Sequence, residues 1–220
     1  MKKLVLFDMD HTLVPTDTGS KLMDYLYKRN LISQQKYDER KQFQKDYHNG
    51  TLDVVAACTF DLNLVKHVES LSDKTIFQGF FDEEILPVIT DKAVNIVKKH
   101  KDAGDYVVII TATTKEIAEP VAEFFAVHYL IGGHGARDVD GVLTGELING
   151  PCMKDGKLIH LQNWLKSSGL EFHHTMFYSD SHNDIPLLNY ADEAIIVDAD
   201  TKLIEYAKHK NWQHISLLND

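Results

Sequence analysis

Lys2-Lys3-Leu4-Val5-Leu6-Phe7-Asp8-Met9-Asp10-His11-Thr12-Leu13 is the stretch on which the reading of this 220-residue chain turns. Leu4 to Phe7 is an unbroken apolar run, as a strand needs when both its faces are covered in a parallel sheet. It stops at two carboxylates one residue apart. Alternate side chains leave a strand on the same side, so Asp8 and Asp10 face one site unless the loop turns one away. Ligands of open α/β sheets sit beyond the carboxyl ends of the strands, which is where this pair stands. Carboxylates this close repel unless a cation or a shared proton relieves them, which points to a hard metal ion. An Asp-x-Asp alone reads equally well as two solvated loop acids with Thr12 capping a helix, so the rest of the chain must decide.

Downstream of Thr12 the pattern becomes helical. Thr18 or Ser20 is placed to cap a helix through about Arg29, and Ser33 to cap a strongly polar one from Gln34 to about His48, closed by Asn49-Gly50. Thr51 to Ser70 and Lys74 to Leu86 are further amphipathic stretches, and no convincing strand falls between residues 15 and 87. After Pro87, helices and strands alternate. Thr90 to His100 is a helix, and Tyr106 to Ile110 a second buried strand ending in Thr111-Ala112-Thr113-Thr114. A helix around Ile117 and Phe125 is kinked or restarted at Pro120. Tyr129 to Ile131 is a short strand, and Val139-Asp140-Gly141-Val142 a hairpin turn. Lys157 to Ser168 is a helix closed by Gly169, and Thr175 to Tyr178 a strand ending in Ser179-Asp180-Ser181-His182-Asn183-Asp184. A helix opening at Pro186, the strand Ala194 to Val197 and the helix Thr201 to His209 follow. The pattern is that of an α/β chain, a doubly wound parallel sheet interrupted after its first strand by an all-helical cap. The expected division is a catalytic core of residues 1–14 and 88–220 and a cap of residues 15–87.

The polar clusters Asp8/Asp10/Thr12, Thr111/Thr113 and Asp180/Asn183/Asp184 all sit at strand ends, so a parallel sheet brings them to one edge. Lys157, opening a helix, can reach that edge. In this ordered set the chain resembles the haloacid dehalogenase-like hydrolase superfamily, and within it the phosphoserine-phosphatase-like branch. Phe-Asp8-Met-Asp10-His-Thr12-Leu is similar to the first motif of that superfamily, Ile-Ile-Thr111-Ala112 to the second, Lys157 to the third and Tyr-Ser-Asp180-Ser-His-Asn183-Asp184 to the fourth. The resemblance implies a Rossmann-like core and a phosphatase. Asp8 is then the nucleophile that forms an aspartyl-phosphate and Asp10 the acid and base, while Thr111 and Lys157 stabilise the phosphoryl group. It implies Mg²⁺ among Asp8, Asp10 (through its carbonyl), Asp180 and Asp184 (through a water or Lys157), and substrate contacts from Asp17, Thr111, Ala112 and Asn183.

The implied substrate is a small phosphorylated metabolite. Phosphoserine phosphatases carry a glutamate after the first motif and a cap arginine. Asp17 lies near the first position, but no arginine occurs between Gly50 and Ser70. Arg29, Arg40, Lys41 and Lys45 lie earlier and could substitute, although the long polar helix that carries the last three reads equally well as a solvated face. A histidinol-phosphatase-like activity, another metabolite, or phosphotransfer to an acceptor other than water stays open. A receiver domain fits poorly with the large insertion, and a dehalogenase would not need Asp10.

Bulk properties set outer bounds. The formal charge of -10 argues against nucleic acid and anionic membrane as partners. Cys58 and Cys152 suit a reducing compartment, and Asp8 and Asp10 end the first apolar run too early for a signal-peptide core. No run approaches the roughly 18 apolar residues of a membrane span. These features lead us to expect a cytoplasmic monomer or homodimer. The twelve histidines show no metal-ligand spacing, Gly132-Gly133-His134-Gly135 lacks the P-loop pattern and reads as a connector, and Phe77, Phe80 and Phe81 read as cap core. Lys154 competes with Lys157 for the third motif but reads as an exposed loop charge.

Overall fold

The computed structural model describes residues 2–49, 51–71 and 75–218. Strand β1 (Lys3–Phe7) lies in the middle of a six-stranded sheet, parallel to β2 (Tyr106–Thr114) on one side and to β6 (His174–Ser179) on the other. Beyond β2 lies β3 (Tyr129–Gly133), and beyond β6 lie β7 (Glu193–Val197) and β8 (Gln213–Ile215), every pairing parallel. The order β3-β2-β1-β6-β7-β8 reverses direction at β1. The crevice at such a reversal is where α/β sheets bind ligands, and Asp8 emerges at that point.

The alternation of side chains explains the layers. Val5, Phe7, Val107, Ile109 and Met176 point into one apolar cluster, Leu4, Leu6, Val108, Ile110 and Phe177 into another. Both faces are covered, which is why these strands read as continuous apolar runs. The first cluster is closed by α5 (Asp91–Asp102) and α6 (Lys115–Phe124), the second by α7 (Asp155–Ser168), α8 (Ile185–Tyr190) and α9 (Thr201–Ala207).

Between β1 and α5, regular structure among the described residues is helical: α1 (Thr18–Lys28), α2 (Gln34–Asn49), α3 (Val54–Ser70), α4 (Ile76–Phe80), then a π turn at Phe81–Ile85 and a 3-10 turn at Leu86–Val88. Leu22, Leu26 and Val65 from this block join Val5 and Phe7 in one apolar cluster, and Phe80 and Phe81 are buried in it too. A two-stranded antiparallel hairpin, β4 (Gly135–Arg137) and β5 (Leu143–Leu147), leans against α3. There Arg137 pairs with Glu69 at 2.7 Å and with Glu116 of α6 at 2.9 Å.

Several boundaries differ from the sequence pattern. Asp17 caps α1, its Oδ1 accepting from the Ser20 amide at 2.5 Å, so Thr18 and Ser20 lie inside the helix. A carboxylate competes well for that role because it also meets the positive end of the helix dipole. Likewise Asp53 caps α3, which starts at Val54 rather than Thr51. Strand β2 continues through Thr114, since its β-branched threonines carry on the extended backbone past a register irregularity against β3. Pro120 lies inside α6 without ending it. β8 has no counterpart in the pattern, because three residues, Gln213, His214 and Ile215, offer no period to read. Gly50 and Lys74, expected at helix ends, lie outside the described residues.

Candidate active site

The turn after β1 is built on one carbonyl. The Met9 oxygen accepts from the amides of Thr12, Leu13 and Val14 at 2.9 to 3.2 Å, and His11 takes the left-handed φ of 59° that such a reversal demands. Asp8 and Asp10 are thereby held on a short, fully bonded loop. The Asp8 amide donates to the Tyr178 carbonyl of β6 at 2.9 Å, tying the loop to the neighbouring strand.

The two acids have different company. Asp8 Oδ1 accepts from Lys157 Nζ at 2.7 Å, and the same ammonium donates to Asp184 Oδ2 at 2.7 Å. Lys157 is 3% exposed. Burial works against its charge, but Asp184 and Asp8 outweigh it and raise its pKa. Lys157 stands in the first turn of α7, where Gly156 passes so close to Pro151 that a Cβ would stand 2.0 Å from its carbonyl oxygen. Lys154, its rival in the sequence, is exposed.

Asp10 turns toward β2 and α1. Its Oδ2 accepts from Thr113 Oγ1 at 2.7 Å and its Oδ1 from the Thr18 amide at 3.0 Å. Burial, followed by the negative charge of Asp17, pushes its carboxyl up to about 7, against the pull of those hydrogen bonds. Thr111 is buried beside it and accepts from the Thr113 amide through Oγ1 at 3.1 Å.

The fourth cluster closes the ring. Thr12 Oγ1 donates to Asp180 Oδ1 at 3.1 Å, and Ser179 Oγ donates to Asp184 Oδ2 at 2.6 Å. Asp180 is pushed up to about 8 by burial and then by the charges of Asp8 and Asp184; Asp184 is raised chiefly by burial. Three carboxylates around one ammonium leave negative charge in excess, and a divalent cation would relieve it. Among the described residues no three His, Cys, Asp or Glu side chains gather as a metal cluster. Asp10 and Asp184 spend their carboxylates on Thr113, Thr18, Lys157 and Ser179, so a cation here would rest on Asp8, Asp180, a loop carbonyl and water. Magnesium accepts such a sparse set.

All the residues expected in catalysis, metal or substrate binding line one cavity of about 490 Å³: Asp8, Asp10, Asp17, Thr111, Ala112, Lys157, Asp180, Asn183 and Asp184. Asn183 Nδ2 donates to Tyr47 Oη of α2 at 2.9 Å, bridging the helical block and the sheet edge. Arg40, on a polar helix for which the sequence left a cavity-facing and a solvated reading open, turns into the cavity, where its Nε donates to Asp61 Oδ1 at 3.1 Å. Neither Asp61 nor Tyr47 was singled out in the sequence: α2, which carries Tyr47, is polar on most of its faces and gives periodicity little to mark, and Asp61 is an isolated acid within α3. The histidines are otherwise accounted for where buried: His100 bridges Asp105 and Tyr178, and His160 meets the Gly150 carbonyl. Cys58 and Cys152 are free thiols. No helix among the described residues is long and apolar enough to cross a membrane.

Known proteins share this arrangement. The profile of the haloacid dehalogenase-like hydrolases matches residues 5–189. A histidinol-phosphatase of Neisseria meningitidis serogroup C is 34% identical over 216 residues, 96% of this chain and 97% of that protein. A phosphoserine phosphatase of Mycobacterium tuberculosis is 28% identical over 213 residues, 94% of this chain and 68% of that protein. Among solved structures, a Bordetella pertussis protein of unknown function superposes with a TM-score of 0.90 at 32% identity, covering 99% of this chain and 100% of the other. A substrate-bound phosphoserine phosphatase gives 0.66 at 22% identity, covering 98% and 93%, a likeness of fold. A sheet reversed at Asp8, a ring of acids around Lys157 and a family match over most of the chain agree: this protein belongs to the haloacid dehalogenase-like hydrolases and is a phosphatase of that family.

Proposed function

We propose that the chain is a Mg²⁺-dependent phosphatase that hydrolyses a small phosphomonoester through an aspartyl-phosphate on Asp8. One observation carries this reading. Of two acids a residue apart, Asp8 is paired with Lys157, while Asp10 is aimed by Thr113 and Thr18 and holds its proton up to about pH 7. That is a nucleophile beside an acid that can both give and take a proton near neutrality.

With Oδ1 held by Lys157, we assign the attack on phosphorus to Oδ2 of Asp8. The ester P–O bond breaks, and Asp10 passes its proton to the departing oxygen. Asp10, now ionised, takes a proton from the water that attacks the aspartyl-phosphate; the P–O bond to Asp8 breaks and inorganic phosphate leaves. The Thr111 hydroxyl and the Lys157 ammonium are assigned to the phosphoryl oxygens, whose charge is the main thing such a site must meet. Asp8, Asp180 and the Asp10 carbonyl would hold Mg²⁺, which when bound would further neutralise the phosphoryl charge. Asp184 orients Lys157, and Asp17, Ala112 and Asn183 are assigned to the substrate. Residues 15–87 are assigned as a cap that shields the reaction from water.

One relative that matches this chain nearly end to end is a histidinol-phosphatase, which makes histidinol phosphate the first substrate to test. The experiment is phosphate release from histidinol phosphate, phosphoserine, sugar phosphates, nucleotides and an aryl phosphate, with Mg²⁺ and with EDTA. Release that needs the metal is expected. A folded protein that releases phosphate from none of them, or equally well in EDTA, overturns the proposal.

A further inference from the structure

The helical block also lines the cavity, through residues of α1, α2 and α3. Arg40 of α2 and Asp61 of α3 face each other there, their side chains only 15% and 22% exposed. Gly19 of α1 makes the room: a Cβ at that position would lie 2.8 Å from Arg40 Nη2 and 3.5 Å from Asp17 Oδ1. Asp17, Arg40 and Asp61 therefore come from three helices to one place.

A nearly buried guanidinium opening on a cavity is ordinarily a site for a carboxylate, which its flat fork of donors fits. Here that charge is already matched within the protein, because Nε donates to Asp61. A substrate carboxylate brought to Arg40 would meet Asp61 and Asp17 beside it. Where the three helices meet, Asp17 and Asp61 outnumber Arg40; Asp24, also in the lining, is met by Lys41 at 3.8 Å. The excess is felt locally: the charge of Asp17 raises both Asp61, where burial is the larger cause, and Asp10. An ammonium would relieve it. Phe43, Leu52 and Val54 add an apolar wall for the body of a small molecule.

We propose that Asp61 is a specificity-determining residue: by holding Arg40, it makes this part of the cavity select a phosphomonoester that carries an amine and lacks a carboxylate. The inference rests on the phosphatase reading above and deepens it. Phosphoethanolamine and phosphoserine form a matched pair, since they differ by the carboxylate alone. The wild-type protein is expected to give a higher kcat/KM with phosphoethanolamine than with phosphoserine, by about tenfold or more, the scale on which an unmatched charged group is rejected by a site.

Two substitutions should move that ratio in opposite directions. Asp61→Asn releases Arg40 and should shift the ratio toward phosphoserine by about tenfold. Arg40→Gln removes the buried guanidinium that a carboxylate would seek beside Asp61 and should shift the ratio further toward phosphoethanolamine. A general loss of activity lowers both substrates and leaves the ratio unchanged, so it cannot imitate the effect. Wild-type preference for phosphoserine, or an Asp61→Asn ratio within about twofold of wild type, overturns the proposal; were Asp61→Asn not to fold, the wild-type preference and the Arg40→Gln shift decide. Calorimetric binding of the same two compounds to Asp8→Asn protein separates this inference from its foundation. If wild type hydrolyses nothing, the phosphatase reading falls, and weaker binding of phosphoserine than of phosphoethanolamine still supports the role of Asp61, whereas equal or tighter binding removes it.

Discussion

Replacing Lys157 by methionine keeps most of the side-chain volume and deletes the charge, which makes it a direct probe of the acid ring. One ammonium serves two carboxylates, Asp8 and Asp184, each at 2.7 Å, with Asp180 close enough to be raised by both acids and lowered by Lys157. Removing one member of a buried ion pair costs about 3–5 kcal/mol, because the partner is left charged and unpaired. With two partners stranded, the upper part of that range is expected, a large share of the roughly 5–15 kcal/mol that holds a domain folded. The cost should depend on pH with a definite sign. An acid whose pKa is higher in the folded than in the unfolded chain adds stability at low pH and loses it as pH rises through the folded value. Asp180 already stands at about 8 against an ordinary 3.8, and Asp184 is raised as well. Without Lys157 both go higher, so the deficit against wild type should be small near pH 4 and greatest above pH 8. Urea unfolding in EDTA at the two ends of that range measures it. A deficit below about 1 kcal/mol, or one that does not change with pH, would refute the view that Lys157 neutralises this ring. The same variant should lose about 10²–10³-fold in kcat, the scale of one lost charge-stabilising donor.

The remaining predictions concern the same loop and turn. Asp8→Asn should abolish phosphate release while leaving the circular dichroism spectrum unchanged; turnover in the folded variant removes Asp8 as nucleophile. Asp10→Asn should slow formation and breakdown of the phospho-enzyme together, and rapid-quench kinetics showing one step untouched would contradict its double role. Gly156→Ala must open the turn against Pro151, at a cost of about 1–3 kcal/mol, and displace Lys157; wild-type Tm and kcat would show that the turn is not what aims the lysine. In EDTA the Tm should fall as pH rises from about 4 to about 8, because the buried acids Asp10 and Asp180 are raised to about 7 and about 8. Mg²⁺ should recover more of the Tm at the upper end than at the lower, and a flat profile would count against a cation at this site.

The catalytic edge was legible in the sequence because each part of it obeys a local rule. A buried parallel strand must be apolar throughout and must stop where its carboxyl end meets the ligand, so Leu4-Val5-Leu6-Phe7 followed by Asp8 carries its own position. The same rule found Ile109-Ile110 before Thr111 and Phe177-Tyr178 before Asp180, and Gly169 closed the helix of Lys157 in the left-handed conformation expected of it. Helix caps were less legible, since Asp17 and Asp53 compete with neighbouring serines and threonines for the same orphan amides.

The helical lining of the cavity was not legible, and the reason is physical. Arg40 lies on a helix that is polar nearly all round, where one inward arginine leaves no break in the pattern. Only the packing of α2 against α1 and α3 turns it toward Asp61 and Asp17, three elements with no fixed spacing along the chain. The proposed chemistry at phosphorus therefore rests on residues at strand ends, with Lys157 from the start of a helix, which the topology of a parallel sheet brings to one edge. The selectivity proposed for the cavity depends on the tertiary structure, because it rests on which charges on separate helices come to face one another.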